Sequence, residues 1–220
     1  MTSIVILINA LEETLTVGRR SDHTKKQLNE LIINASIKLI TEIGPSAFGT
    51  RAIAKEIGYS FGTIYHIYGD LETLRYHVRG RILDNWYNDL AAGMPEADNK
   101  AQYLVDAYID LSQQQPFLWA FVFALPSDPK ENAPDWYIKS VENLFSLVIR
   151  ALAPICENKK EAEFAARAIW PSVHGICVLA MAGKLDMVSS EGPKELAHRQ
   201  LAIYLRGLKY MDADLQLTDV

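Results

Sequence analysis

The chain has 220 residues, 49% of them hydrophobic and 22% charged, with a formal net charge of -5 at pH 7. That is enough apolar chain to bury one large core or two modest ones, and no stretch approaches the ~18 uninterrupted apolar residues of a membrane-spanning helix. Cys156 and Cys177 stand far apart, with neither a CxxC spacing nor a His pair nearby, which argues against a metal or disulfide role and for reduced thiols in packed helices. The charge is unevenly placed. Between Arg19 and Arg81 there are 10 Lys/Arg and 6 Asp/Glu, a net of +4, whereas residues 82–220 hold 12 against 19, a net of -7. Such asymmetry marks a nucleic-acid-facing module on a non-binding body.

Residues 1–20 form an N-terminal extension with no assigned role. Its apolar run, Ser3-Ile4-Val5-Ile6-Leu7-Ile8, lacks the positive flank and cleavage site of a signal peptide and is too short to span a bilayer. Arg19 to Lys26 is a basic lead-in, within which Lys25 is a candidate phosphate contact. Thr24 or Asp22 can cap a first helix in which Leu28, Leu31, Ile32, Ala35, Leu39 and Ile40 recur at helical spacing. Gly44-Pro45 stops it near Ile43.

Ala52, Ile53 and Ile57 then make one apolar face, and Gly58-Tyr59-Ser60 breaks it. Ser60 is placed to cap a new helix beginning at Phe61, with Ile64 and Ile67 pointing inward. Two short helices joined by a tight turn containing Gly have the spacing of a helix-turn-helix. With Asp70 as its N-cap, a long helix from about Leu71 to Ala91 carries Leu74, Val78, Ile82, Leu83, Trp86 and Leu90, and Ala92 to Pro95 ends it. No Gly/Ser linker separates this helix from the C-terminal part of the chain, so head and body are expected to share core.

The body reads as helices over about Lys100–Gln114, Pro116–Leu125, Asp135–Ile155, Lys160–Lys184 and Lys194–Tyr210, with a Pro-rich loop at Pro126–Pro134. The second of these is apolar all round and expected to be buried. Pro171 should kink the fourth, and residues 211–220 should form a loose tail. The fold class is therefore all-α. Residues 21–70 make a three-helix head, and the long helix leads into a helical body spanning residues 71–210.

The sequence Thr50-Arg51-Ala52-Ile53-Ala54, Gly58-Tyr59-Ser60, Gly62-Thr63-Ile64-Tyr65, Tyr68 and Leu74 resembles the DNA-binding domain of the TetR family of transcriptional regulators, of the AcrR-like kind. The match runs over roughly residues 24–75 without a gap. The resemblance implies a recognition helix at Phe61–Ile67 whose N-terminal residues lie near base edges in the major groove. Gly62 would let it approach closely, and Phe61, Thr63 and His66 would read bases. Thr50, Arg51, Ser60 and Tyr65 complete the implied DNA-contact set, with Thr50 and Tyr65 in phosphate-contact positions. Tyr68 is expected to be a core aromatic. Leu71 stands where the family commonly has a phosphate-contacting Lys, which removes one charge-assisted contact.

Trp170, His174 and Gly175 resemble the C-terminal domain that some of these regulators carry, named for Trp, His and Gly. The resemblance implies a small-molecule effector, and Tyr103, Trp119, Phe123, Trp170 and His174 are the candidate pocket residues. A core His satisfied by a Tyr hydroxyl or a backbone carbonyl is the competing role for His174. The last two helices, with Ile169, Val173, Ile176, Ala180, Leu196, Ile203 and Leu208, would pair with a second copy, giving a homodimer on a palindromic double-stranded operator. The implied protein is a cytoplasmic, ligand-responsive repressor with no cofactor, metal or membrane partner. No HExxH, GxSxG, phosphate-binding Gly loop or carboxylate–His cluster points to an enzyme. The alternative is a helical ligand-binding or interaction module with weak or no specific DNA binding.

Overall fold

A computed structural model describes residues 23–124 and 133–214. The apolar run at 3–8, the basic residues 19–22, most of the Pro-rich loop and residues 215–220 lie outside the described residues. The described chain is helical throughout: α1 (Lys25–Ile43), α2 (Thr50–Ile57), α3 (Phe61–Tyr68), α4 (Leu71–Gly93), α5 (Lys100–Gln114), α6 (Pro116–Phe123), α7 (Asp135–Leu152), α8 (Lys159–Met181) and α9 (Pro193–Asp214).

Local chemistry sets the head. Thr24 caps α1 in a reciprocal box: its Oγ1 accepts from Gln27 N at 3.3 Å, and Gln27 Oε1 accepts from Thr24 N at 2.9 Å. Ile32, Ile33, Ala35, Leu39 and Ile40 bury its inner face. The turn between α2 and α3 requires Gly58, which sits at φ 72° in the left-handed region, and Tyr59 N then reaches back to Ala54 O at 3.0 Å. Tyr68 is buried, and its hydroxyl donates to Asn29 Oδ1 of α1, closing the head.

α4 leaves the head and enters the body, burying Leu74, Val78, Arg79, Gly80, Ile82, Leu83 and Trp86. It packs along α7, while α8 packs on α7 and α9 and α5 fills the space between them. The buried apolar residues from Ile32 to Leu208 make one continuous cluster, so head and body share core as expected.

Four boundaries differ from the sequence reading. α7 ends at Leu152 because Pro154 follows, and the residue before a proline avoids helical geometry. α8 stops at Met181 because Gly183 adopts φ 63°: Gly183 N bonds Ala180 O, and Lys184 N bonds Leu179 O. α8 runs on through Pro171 as one helix. Residues 211–214, expected in a loose tail, continue α9. α6 is not buried all round, because Phe117 lies outside over Gly44 and is 43% exposed. α8 is the one described helix long and apolar enough to cross a membrane by composition, yet Ala162, Ala165, Ala166, Ile169 and Val173 are built into the core.

Candidate nucleic-acid interface and effector cavity

The outer face of the head is formed by α3 and the start of α2. Ile64 and Tyr68 anchor α3 inward, which turns Phe61, Gly62, Tyr65 and His66 outward. Phe61 is 55% exposed and Tyr65 44%, their rings meeting edge-on at 6.5 Å. Large aromatics held out on an eight-residue helix bury nothing in the protomer, so packing does not account for them. Thr63 is half-buried. Ser60 occupies the N-cap position, but its hydroxyl meets Thr63 Oγ1 at 3.0 Å instead of capping a backbone N–H as the sequence suggested. The α3 N-terminus is thus left without a side-chain cap. The same holds at α2, where Gly49 is the N-cap and Thr50 the first helical residue. Uncapped helix N-termini present N–H groups suited to phosphate oxygens.

Lys25 and Arg51 are exposed and enter no ion pair with a described residue, and Lys26 and Lys55 share that state. The acidic groups nearby are engaged. Glu56 pairs with Lys38 at 2.6 Å. Asp70 Oδ1 accepts from Thr73 N at 2.6 Å, and that backbone bond holds its carboxyl below the usual range. Leu71 is half-buried against the core. The face therefore offers free cations and turned-in acids.

α4 is tied to its neighbours by polar and aromatic contacts that no periodicity reveals. Arg81 grips Glu30 of α1 bidentately at 2.8 Å, and their mutual bond raises the Arg81 pKa and lowers that of Glu30. His77 stacks on Trp136 of α7 at 4.5 Å, and burial pushes its pKa down. One turn on, Gly80 lets the same indole approach so closely that a Cβ would stand 2.9 Å from Trp136 Cζ3. Arg79, 3% exposed, donates through Nε to Phe121 O at 3.0 Å and through Nη2 to Ala124 O at 2.8 Å. A guanidinium thus satisfies carbonyls at the C-terminal end of α6, where the helix dipole favours a cation. Phe121 also packs on Phe48 of the head at 4.9 Å, so α6 touches head and body together.

Inside the body lies a cavity of about 390 Å³, in the usual range for ligand pockets. α4 contributes Leu83, Trp86 and Leu90, and α6 contributes Val122 and Phe123. Tyr108, Tyr137, Leu144, Phe145 and Trp170 supply the facing walls. Of the five residues expected from the sequence, Phe123 and Trp170 line the cavity, whereas Tyr103, Trp119 and His174 do not. Tyr103 lies against Gly93 at the end of α4. Trp119 and His174 stand behind the wall, stacked at 4.8 Å, with His174 Nδ1 bonded to the Tyr108 hydroxyl at 2.7 Å. His174 is thus the core histidine satisfied by a Tyr hydroxyl, and burial pushes its pKa down.

Comparison with known proteins fits both halves. Residues 32–75 match the family model described as bacterial regulatory proteins, tetR family, and residues 102–204 match the one described as tetracyclin repressor-like, C-terminal domain. The chain belongs to the TetR family. As a TetR-family transcriptional regulator it is similar to an uncharacterized HTH-type transcriptional regulator of Mycobacterium tuberculosis, 23% identical over 172 residues and 76% of each chain. A solved protein of unknown function from Rhodococcus sp. RHA1 superposes with a TM-score of 0.67 at 19% identity, covering 86% of this chain and 98% of that one. The regulator FadR of Bacillus subtilis, in complex with stearoyl-CoA, does so at 0.61 and 15%, covering 81% and 98%. FadR of Thermus thermophilus, a repressor in complex with lauroyl-CoA, does so at 0.60 and 16%, covering 82% and 94%. At these identities the likeness is one of fold.

Residues that sequence reasoning missed share one property. Arg79, Arg81, Tyr108 and Tyr137 each act across helices distant in the chain, and helical periodicity encodes only which face of a single helix is apolar. For Arg79 a signal existed: a basic residue among the inward positions Val78 and Ile82.

Proposed function

We propose that this TetR-family regulator is a repressor that binds a palindromic operator as a homodimer and is released by a small, mostly apolar effector. The observation that carries the reading is the continuity of α4. It begins beside the outward face of α3, at Leu71, and its Leu83, Trp86 and Leu90 line the cavity. A ligand bound more tightly by one setting of α4 than by another shifts the head by that difference in affinity and no more.

On DNA, Phe61, Thr63 and His66 are assigned to base edges, with Gly62 permitting close approach. Thr50, Arg51, Ser60, Tyr65 and Lys25 are assigned to the backbone, where contacts fix register. Dimerisation is supported by Phe164, Val178, Leu179 and Met181 on α8 and Ile203 on α9, all exposed, with Ile203 at 70%. Of the residues the sequence suggested for that face, Ile169, Val173, Ile176 and Leu208 are buried within the protomer. Two recognition helices ~34 Å apart meet successive major grooves on one side of the duplex. The apolar wall suits an alkyl-bearing ligand, in keeping with the acyl-CoA held by two structural relatives. Placement in the AcrR-like, Trp-His-Gly grouping and action in the cytoplasm complete the proposal.

The test is binding to DNA upstream of the gene, read by fluorescence anisotropy. Tyr65→Ala and Thr50→Ala are expected to weaken it about tenfold each, in line with the loss of one good contact. Unchanged affinity in both variants, or a monomer in sedimentation at micromolar concentration, overturns the reading.

A further inference from the structure

Among the described residues, no Asp, Glu, Lys or Arg lines the cavity, and its polar groups are few. Trp86 Nε1 donates to Gln115 Oε1 at 3.2 Å. Tyr137 stands beside Arg79, whose guanidinium is turned to the Phe121 and Ala124 carbonyls. The other two, Tyr108 and Trp170, belong to a buried group completed from behind by Trp119 and His174. The indole N–H groups of Trp119 and Trp170 both act on the Tyr108 oxygen, which also meets His174 Nδ1 at 2.7 Å.

Hydrogen-bonding capacity in this group is unbalanced. The donors are the Tyr108 O–H, two indole N–H groups and one N–H of neutral His174; the acceptors are two lone pairs on the Tyr108 oxygen and one imidazole nitrogen. Donors exceed acceptors by one whichever tautomer His174 holds. The imbalance is visible in the fold: Trp119 is 5% exposed and its Nε1 has no partner. A buried donor without an acceptor is a standing cost. An acceptor oxygen arriving from the cavity removes it. The Tyr108 O–H can then turn to the ligand, freeing its lone pairs for Trp119 and His174, while Trp170 donates to the same ligand oxygen.

Resting on the effector reading of this cavity, we propose that it selects an uncharged, largely apolar molecule carrying a carbonyl oxygen, received by Tyr108 Oη and Trp170 Nε1. A carboxylate would be buried against a wall without a cation, and an ammonium would add donors where donors are already in surplus. Burial holds His174 neutral, so it supplies no counter-charge.

Three probes of equal chain length separate these cases by calorimetry on the full chain: 2-decanone, decanoate and decylammonium. The expected result is that 2-decanone binds about tenfold more tightly than either ion, the size of a good buried hydrogen bond plus avoided ion desolvation. Tyr108→Phe and Trp170→Phe should each weaken 2-decanone about fivefold and leave decylammonium unchanged, with helical content by circular dichroism equal to wild type. Tighter binding of decanoate, undiminished ketone affinity in Tyr108→Phe, or no binding of any probe at millimolar concentration overturns the inference. Adding the probes to the protein–DNA complex distinguishes the two readings. Ketone selectivity without release of DNA supports this inference and counts against the repressor mechanism. Release by decanoate, bound more tightly, does the reverse.

Discussion

Replacing Arg79 by Met removes a buried guanidinium while roughly keeping the volume of its stem, and so isolates what its two hydrogen bonds contribute. The bonds, 3.0 Å to Phe121 O and 2.8 Å to Ala124 O, are charge-assisted and shielded from water, since Arg79 is 3% exposed. Each contributes about 1.5–3 kcal/mol net. Removing the charge also cancels the desolvation of the guanidinium, which offsets part of the loss. The expected net destabilisation is about 3 kcal/mol, or a melting temperature lower by about 6–12 °C for a chain of this size. Arg79→Lys should lie between, because an ammonium lacks the planar fork that spans two carbonyls. Urea unfolding of the three proteins measures this. A Met variant within about 0.5 kcal/mol of wild type, the range of neutral surface changes, would show that the end of α6 finds other partners and refute the clamp.

At Gly80, Ala places a methyl 2.9 Å from Trp136 Cζ3. The partly exposed indole must shift, at a cost of about 1–2 kcal/mol. In a Trp136→Ala background the same change should turn stabilising by about 0.5–1 kcal/mol, because Ala suits a helix interior better than Gly. A double-mutant cycle in urea reads the sign, and destabilisation in both backgrounds would refute the steric account. The pH dependence arises from His77, which sits between Trp136 and Tyr68, with a folded pKa that burial holds below its ordinary 6.5. Between those values the unfolded chain binds the extra proton, so this contribution is full above 6.5 and is lost as pH falls through the folded value. His174 shifts in the same direction. Thermal midpoints are expected to drop on acidification below 6.5 and to drop less in His77→Gln; an unaltered slope in that variant would remove His77 from the account.

The sequence by itself determined the helices, most of their ends and the outward set on α3. These depend on short-range physics: a Thr24–Gln27 box, a left-handed Gly58, and apolar spacing that turns Ile64 in and Tyr65 out. The head was legible because its motif is local, with residues close in the chain meeting in space. What only the tertiary structure decided lies between helices. The cavity draws Leu83, Tyr108, Phe123, Phe145 and Trp170 from five different helices. An aromatic such as Trp119 looks the same in sequence whether it lines a cavity or stands behind the wall. The inward turn of Ile169 and Val173, expected on the dimer face, was undetermined for the same reason. Periodicity defines an apolar stripe on α8, and only the packing of α5, α7 and α9 around it decides which stripe is core and which is left at the surface.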